Sequence, residues 1–260
     1  MSLAQETAKC GQPWLARTDG AGFTLAFRRN VVILLFSLAA CRAEQDSSPF
    51  PKAHRPVAPI VSDSFSTEDA RDRVGEAEEV MRLAGVRPGM SVADIGAGEG
   101  YYTVRLSPIV GPRGRVLAED IVPETRDRLA IRVQRENLEN VAVRLGEPAD
   151  PKLPARSFDR IFLVHMYHEV TQPYEFLWNL REGLKEGGMV VVVDADRAVK
   201  RHGTPPKLLI CEFAAVGLQP VSSKRLAGID AYFASFKIST PRPRPVDIKP
   251  CDPSTIGEGQ

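Results

Sequence analysis

The chain has 260 residues, which is enough for one sizeable α/β domain with flanking segments. Its 34 basic and 33 acidic side chains leave a net charge of +1 and are dispersed, which argues against a nucleic-acid-binding protein and against an acidic solvating tail. The four cysteines lie far apart and form no Cys-x-x-Cys pair, so the sequence predicts no zinc site built from thiolates.

The N-terminal part carries the pattern of an export signal. Arg28 and Arg29 precede an apolar run over 31–40, which is followed at once by Cys41. The run is too short to cross a bilayer, which takes about 20 apolar residues. Its end, Leu-Ala-Ala-Cys, resembles the lipobox of bacterial lipoproteins, in which the cysteine is lipidated and becomes the mature N-terminus. We therefore expect 1–41 to be an export signal and Cys41 a membrane anchor, unless the apolar run is a buried strand or helix.

Two segments have the composition of extended chain. The segment 42–65 is rich in Pro, Ser and charge without periodicity, which predicts a flexible tether. The segment 241–260 begins with Pro-Arg-Pro-Arg-Pro and predicts a disordered tail. The folded domain is expected at 66–240, in the bacterial cell envelope if the signal is used and in the cytoplasm otherwise. In an exported chain a disulfide between Cys211 and Cys251 becomes feasible, although nothing in the sequence supports it.

Between these segments the pattern alternates between helix and strand. A first helix is capped by Ser66 or Thr67, places Val74 and Ala77 on an apolar face, and ends near Gly85. Strands are predicted at 91–95, 115–119, 141–145, 158–165 and 189–194, and further helices at 101–109, 123–137, 174–184 and 206–216. Two late strands, at 219–225 and 232–238, are joined by a short turn that excludes a helical crossover, so this pair should be antiparallel. The alternation predicts an α/β fold with parallel central strands.

The most informative stretch runs from Val92 to Tyr101, with the sequence VADIGAGEGY. An apolar strand reaches Asp94 and is followed by glycines at 96, 98 and 100, which allow positive φ and a close approach of the backbone to a ligand. The dinucleotide fingerprint is G-x-G-x-x-G, whereas this stretch reads G-x-G-x-G and carries Tyr101 at the place of the third glycine. The stretch resembles motif I of the class I S-adenosylmethionine (SAM)-dependent methyltransferases.

The resemblance implies a fold, a cofactor and a set of loop contacts. The fold would be a doubly wound, mostly parallel seven-stranded sheet with a C-terminal antiparallel hairpin strand, and the cofactor would be SAM. Ligands of such sheets bind beyond the carboxyl ends of the strands. Asp94 could face the cationic part of SAM or merely cap the loop. The residues expected to contact the cofactor here are Asp94, Gly96, Ala97, Gly98, Gly100 and Tyr101.

Acids also follow the next two strands. Glu119 and Asp120 end the second strand, where a carboxylate can accept both ribose hydroxyls of an adenosyl group. Resemblance to the family pattern Gly-x-Val-x-Ala-x-Asp favours Asp120, with Glu119 second. Glu147 follows the third strand, where family members often place an acid that accepts from the adenine amine. Asp120 or Glu147 could instead be a solvated loop acid.

The fourth strand leads into the sequence HMYHE, where the acceptor substrate should lie. Methyl transfer requires that the acceptor is aligned and, where needed, deprotonated. The expected catalytic residues are His165, Tyr167 and His168, with His165 also contacting the cofactor, although either histidine could be a packing residue. Two histidines three residues apart, with Glu169 beside them, also suit a metal ion. No further ligand at a useful spacing appears, so no metal site is predicted.

The same region resembles the broad group of small-molecule methyltransferases that includes the ubiquinone/menaquinone C-methyltransferases. The Asn/Asp-Pro-Pro-Tyr signature of amino-methyltransferases is absent from the sequence, which argues against a nucleobase amine as acceptor. The sequence therefore predicts a SAM-dependent methyltransferase that acts on a small-molecule or lipid-like acceptor. A non-catalytic SAM-binding or envelope binding module is the alternative, because SAM is made in the cytoplasm. A dinucleotide-dependent oxidoreductase is disfavoured by the spacing of the glycines.

Overall fold

The computed structural model describes residues 48–60 and 67–252 of the chain. The predicted export signal at 1–41, with Cys41, lies outside these residues, and so do parts of the predicted tether and tail. No helix within the described ranges is long and apolar enough to cross a membrane.

Seven strands form one sheet with the order β3-β2-β1-β4-β5-β7-β6. The strands are β1 Ser91–Ile95, β2 Arg115–Asp120, β3 Val141–Leu145, β4 Phe158–Val164, β5 Leu184–Asp194, β6 Leu218–Arg225 and β7 Tyr232–Ile238. The pairs from β3 across to β5 are parallel, and β7 is antiparallel to both β5 and β6. The predicted sheet, mostly parallel with a C-terminal antiparallel strand, is confirmed.

Helices cover both faces of this sheet, which makes it doubly wound. They are α1 Glu68–Arg73, α2 Glu76–Leu83, α3 Tyr101–Val110, α4 Pro123–Arg135, α5 Pro173–Leu180 and α6 Pro206–Ala215. On β5, Val191 and Val193 pack into a core with α2 and α3, whereas Val190 and Val192 pack into a core with α5 and α6. Successive side chains of a strand point to opposite faces, so a strand covered on both faces must be apolar throughout. The unbroken apolar run at the end of β5 follows from this position.

The first predicted helix is divided into two. Gly75 adopts φ +64°, a left-handed conformation that favours glycine, and the chain restarts as α2 at Glu76. Val74, predicted to lie on the apolar face, is instead 37% exposed. Glu76 is buried and borders a cavity at the carboxyl edge of the sheet. The break at Gly75 therefore delivers a carboxylate to that edge.

Part of the predicted tether is ordered. Residues 48–60 lie against the domain, where Arg55 Nε donates to Glu212 Oε1 at 2.8 Å and the Arg55 side chain is buried. The N–H of Ala58 donates to the carbonyl of His168 at 3.1 Å. The prediction of a flexible tether is wrong for these residues, because a buried ion pair with a distant helix holds them and composition does not reveal it.

Part of the predicted disordered tail is also ordered. Cys251 forms a disulfide with Cys211 on α6, and Ile248 and Cys251 are buried. The N–H of Cys251 donates to the Tyr174 hydroxyl at 2.7 Å. The prediction of disorder is therefore wrong for 241–252, because these contacts hold the proline-rich segment on α5 and α6.

Candidate active site

A cavity of about 790 Å³ opens at the carboxyl ends of β1, β2, β4 and β5. Small-molecule sites typically have volumes of about 300–1,000 Å³. Three of the four histidines of the chain, His165, His168 and His202, border this cavity together with the loop after β1. The glycine motif and the histidines that follow the fourth strand therefore belong to one site.

The loop after β1 presents its backbone to the cavity. Gly96, Ala97 and Gly98 border it, and the two glycines have φ values of +65° and +57°. A Cβ atom on Gly98 would meet no atom within 4 Å, so the space beside this residue is open. A Cβ atom on Gly96 would lie 3.0 Å from Met166 Cγ. The loop thus allows a ligand to approach the main chain closely, as the glycine spacing predicts.

Asp94 lies at the end of β1, beneath this loop, and only 2% of it is exposed. It accepts a hydrogen bond from the Thr103 hydroxyl at 2.7 Å. Burial raises the pKa of Asp94 to about 6. This hydrogen bond links β1 to α3 across the loop, which corresponds to the alternative that Asp94 caps the loop. Asp94 also borders the cavity.

Two further residues of the motif have different surroundings. A Cβ atom on Gly100, at φ +89°, would collide with Leu129 Cδ1. Gly100 is absent from the residues that border the cavity, and this glycine lets α3 begin against α4; its cofactor contact stays a prediction. Tyr101 does border the cavity, and its hydroxyl donates to Asp72 at 2.8 Å. The guanidinium carbon of Arg71 lies 3.8 Å from the centroid of the Tyr101 ring, which fixes that ring.

The two acids at the end of β2 differ in their hydrogen bonds. Asp120 accepts from the N–H of Gly98 at 3.0 Å with one oxygen and from the N–H of Val122 at 2.9 Å with the other. Glu119 is 1% exposed, and its Oε1 has no hydrogen-bond partner among the described residues. Burial and, secondly, repulsion by Asp120 raise the pKa of Glu119 to about 8. Asp120 therefore holds the loop and, because each carboxylate oxygen has two lone pairs, can still accept from a ligand in the cavity that it borders. The buried Oε1 of Glu119 instead faces Gly146, where a Cβ atom would lie 1.5 Å from it.

Glu147 does not lie where the sequence predicts. Its side chain is 65% exposed and pairs with Lys152 Nζ at 3.2 Å. After β3 the chain turns back through a bridge between Glu147 and Asp150, which leaves the acid in solvent. Pro148 borders the cavity instead, so the predicted contact of Glu147 with adenine is corrected.

His168 is buried and carries a fixed partner. Its Nδ1 lies 2.9 Å from Oδ1 of Asp194, the last residue of β5. Asp194 also accepts from the Thr204 hydroxyl at 2.7 Å and from the N–H of Ala195 at 2.8 Å. Because a carboxylate only accepts, Nδ1 donates in this bond, and in the neutral imidazole Nε2 is then the nitrogen with the lone pair. The arrangement orients a lone pair at the edge of the cavity.

His165 lies beside α2 in a second polar cluster. Its Nε2 is 3.3 Å from Oε1 of Glu76, and its backbone has φ +54°, which is uncommon outside glycine. Glu76 also accepts from Arg71 at 2.6 Å and from the Tyr102 hydroxyl at 3.1 Å. Burial would raise the pKa of Glu76, but the hydrogen bonds from His165 and Arg71 outweigh it and hold the pKa at about 2.

Tyr167 lies in the hydrophobic core and has a structural role. It is fully buried, and its hydroxyl donates to Glu212 Oε2 at 2.7 Å. Glu212 in turn holds Arg55. Tyr167 does not border the cavity, so its predicted catalytic role is corrected: a hydroxyl bonded inside the core cannot reach an acceptor.

Three residues that shape the site are missed by the sequence reasoning: Glu76, Asp194 and His202. Asp194 could have been found, because it ends a predicted strand and ligands bind beyond strand ends. Glu76 lies inside a predicted helix whose break at Gly75 the apolar pattern does not show. His202 lies in the loop after β5, where no pattern marks it.

Comparison with known proteins agrees with the fold. A sequence family described as a methyltransferase domain matches residues 93–192, which run from β1 to β5. The chain is 30% identical over 150 residues to protein-L-isoaspartate O-methyltransferase 1 of Archaeoglobus fulgidus, an alignment that covers 54% of this chain and 67% of that protein. It is 27% identical over 157 residues to the ubiquinone/menaquinone biosynthesis C-methyltransferase of Ectopseudomonas mendocina, covering 58% and 59%.

A solved structure has the same fold. A SAM-dependent methyltransferase from Aquifex aeolicus superposes with a TM-score of 0.61 at 24% identity, over 65% of this chain and 93% of that one. The chain spans a smaller part of three other curated relatives, namely 51%, 30% and 50% of their lengths.

These findings define the class. The chain belongs to the class I SAM-dependent methyltransferases, whose cofactor is SAM. The residues present fit that cofactor, because the open space beside Gly98 admits a ligand and the Asp120 carboxylate, which borders the cavity, can accept from a hydroxyl.

Proposed function

We propose that the protein transfers the methyl group of SAM to a small-molecule or lipid-like acceptor bound beside His168. The observation that carries this proposal is one cavity that is bordered both by the glycine loop and by His168, whose Nδ1 is held by the buried Asp194. SAM supplies a methyl group on a positively charged sulfur. The chain must bind both reactants and align the acceptor with that methyl group.

The cofactor half of the site lies at the ends of β1 and β2. The backbone of 96–98 allows close approach, and we assign the Asp120 carboxylate to the ribose hydroxyls, as the sequence pattern favours. Each oxygen of Asp120 accepts one backbone N–H group and keeps a second lone pair, so Asp120 can both support the loop and bind ribose. The free Oε1 of Glu119 is covered by Gly146, which argues against Glu119 as the ribose contact.

The acceptor half lies at the ends of β4 and β5. The oriented lone pair of His168 can bind the reacting atom of an acceptor or receive its proton. Met166, Val170 and Phe176 border the cavity near this histidine, which suits an acceptor with an apolar body. The names of the relatives include an O-methyltransferase and a C-methyltransferase, so they leave the acceptor atom open.

Methyl-labelled SAM tests this proposal. We expect the protein to transfer label to an organic-soluble compound from envelope or soluble extracts, and His168→Gln to slow the transfer by at least about 100-fold. The matched control is His54→Ala, because His54 is an exposed histidine outside the cavity. Bound SAM without transfer to any fraction would indicate a non-catalytic SAM-binding module. Label on protein alone would contradict the small-molecule or lipid-like acceptor.

We further propose that the protein acts in an oxidising compartment, as a lipid-anchored protein of the bacterial cell envelope. The Cys211–Cys251 disulfide supports this, because disulfides are rare in the cytosol. The lipobox-like pattern ending at Cys41 supports it independently. Mass spectrometry of the native protein should find a lipidated N-terminal Cys41 and an oxidised cysteine pair. An intact N-terminus upstream of Cys41 would contradict the anchor.

A further inference from the structure

Three residues of the cavity bring metal-binding atoms close together. One ligand atom from each of His168, Glu169 and His202 lies within 4.8 Å of the others. His168 and Glu169 follow β4, whereas His202 lies in the loop after β5. The fold thus supplies the further ligand that the sequence around His165 and His168 lacks.

We propose that these three residues hold a divalent first-row cation of the zinc type at the acceptor end of the cavity. Two imidazoles and a carboxylate form a ligand set of catalytic zinc sites, which keep a fourth position open. With metal–ligand bonds of about 2.0–2.2 Å, tetrahedral ligand atoms lie about 3.3 Å apart. The three atoms must therefore close by about 1.5 Å at most, which is within reach of rotations of the half-buried Glu169 and His202 side chains.

Asp194 gives His168 the orientation of a metal ligand. Metal-binding histidines almost always donate their second ring N–H to a carboxylate, a carbonyl or water. Nδ1 of His168 makes this bond to Asp194 at 2.9 Å, and Thr204 and Ala195 hold the carboxylate in place. Nε2 is therefore the ligand atom, and its tautomer is set before a cation binds. Asp194 acts here as a positioning residue.

The loop after β5 holds His202 in an unusual backbone conformation. His202 has φ +58°, and its N–H donates to the carbonyl of Val199 at 2.9 Å. The carbonyl of His202 accepts from Arg197 Nε at 3.1 Å. Its ring meets that of His168 edge to face, with centroids 5.5 Å apart. Left-handed conformations of residues other than glycine persist where surrounding contacts impose them and cluster at functional sites.

A cation in this position selects a class of acceptor. The open fourth position would be filled by an oxygen, nitrogen or sulfur atom of the acceptor, held beside the cofactor half of the cavity. Coordination lowers the pKa of a bound hydroxyl or thiol, whose proton then passes to water. In the loaded protein His168 is a ligand and the cation activates the acceptor. This selection rests on the proposed function, whereas the cation site itself does not.

The test titrates the full chain, first freed of metal with a chelator, with Co²⁺ and then with competing Zn²⁺. We expect one cation per chain and visible Co²⁺ absorption that Zn²⁺ abolishes. His202→Ala and Glu169→Gln should each weaken binding at least about 10-fold, and Asp194→Asn by about 10–100-fold. His165→Ala is the matched control, because this histidine borders the same cavity outside the cluster and should leave affinity unchanged.

Several outcomes would overturn the cation site. They are the absence of Co²⁺ binding by the folded wild-type chain at millimolar concentration, and binding that His202→Ala leaves unchanged. Titration with S-adenosylhomocysteine separates this proposal from the proposed function. A His202→Ala variant that loses the cation but keeps cofactor affinity supports the site, whereas a wild-type chain that binds Co²⁺ but no cofactor overturns only the proposed function. Methyl transfer that survives chelation would overturn the role of the cation in activating the acceptor.

Discussion

The cavity has two halves, which we propose bind the cofactor and the acceptor, and they are built in different ways. The cofactor half uses backbone from one continuous stretch, the glycine loop after β1, together with the acids that end β2. The acceptor half joins side chains from three separate segments, with His168 after β4, Asp194 at the end of β5 and His202 in the following loop. A backbone motif is visible as a spacing of glycines, whereas a side-chain cluster exists only once the chain has folded. Mutations should therefore affect the two halves separately.

The largest difference between the loss of methyl transfer and the loss of cofactor affinity is expected for a substitution of His168. His168→Gln removes the oriented lone pair, and we expect methyl transfer to fall by at least about 100-fold, the lower end of what acid–base groups contribute. The affinity for S-adenosylhomocysteine should stay unchanged, because His168 belongs to the acceptor half. Transfer rates with labelled SAM and calorimetry with S-adenosylhomocysteine measure the two effects. Equal losses in both would contradict the division of the cavity.

A substitution of Gly98 should instead reduce the affinity for the cofactor. Gly98→Ala places a methyl group in the open space beside the loop and should weaken S-adenosylhomocysteine binding by about 2 kcal/mol, or roughly 30-fold. Gly89→Ala is the matched control: Gly89 also has a positive φ and open space around its Cβ position, but it lies in the turn before β1. Both variants should lose about 1–2 kcal/mol of stability from the left-handed backbone.

Calorimetry compares the affinities of the two glycine variants, and urea unfolding compares their stabilities. The glycine loop would lose its assignment if Gly89→Ala weakened cofactor binding as much as Gly98→Ala.

The glycine loop is visible in the sequence pattern, whereas the side-chain cluster at the ends of β4 and β5 is not, for a physical reason. Alternating apolar periodicity predicts the sheet, and the glycine spacing places Gly96 and Gly98 at the cavity. Details that depend on packing are not visible in the pattern: Gly100 serves a helix contact, Glu147 faces solvent and Tyr167 is bonded inside the core.

Contacts between distant segments are equally hidden from the sequence. Composition does not reveal that Arg55 pairs with Glu212, or that the disulfide holds the segment around Cys251. His202 reaches His168 only through the course of the loop after β5.

A smaller loss of affinity should identify which of the two acids at the end of β2 binds the ribose. Asp120→Ala removes the carboxylate assigned to ribose and should weaken S-adenosylhomocysteine binding by about 1.5 kcal/mol, or roughly 10-fold, as expected for loss of one hydrogen bond to a carboxylate, whereas Glu119→Ala should not. Glu147→Ala, an exposed acid after β3, should have no effect. Calorimetry on these variants decides the assignment. If Glu119→Ala weakens binding while Asp120→Ala does not, the ribose contact is Glu119 and the order favoured by the sequence is wrong.

The smallest effect is a pH dependence of stability that Glu119 should cause. Its pKa is about 8 in the folded protein and close to 4.5 in the unfolded chain, so between these values the folded state binds more protons. The free energy of unfolding should therefore fall as pH rises, by about 1 kcal/mol between pH 6 and pH 7. Glu119→Gln should remove most of this dependence and Glu147→Gln none of it. Urea unfolding at pH 5, 6, 7 and 8 measures the slopes, and identical slopes for wild type and Glu119→Gln would contradict the raised pKa.

The central claim is that the cavity binds SAM through the glycine loop, beside a separate acceptor half. Calorimetric titration of the protein with S-adenosylhomocysteine, on wild type and on the Gly98→Ala and Gly89→Ala pair, tests it most directly. We expect one site per chain, with affinity weakened roughly 30-fold in Gly98→Ala and unchanged in Gly89→Ala and His168→Gln. No heat from the folded wild-type protein at millimolar ligand would contradict the claim.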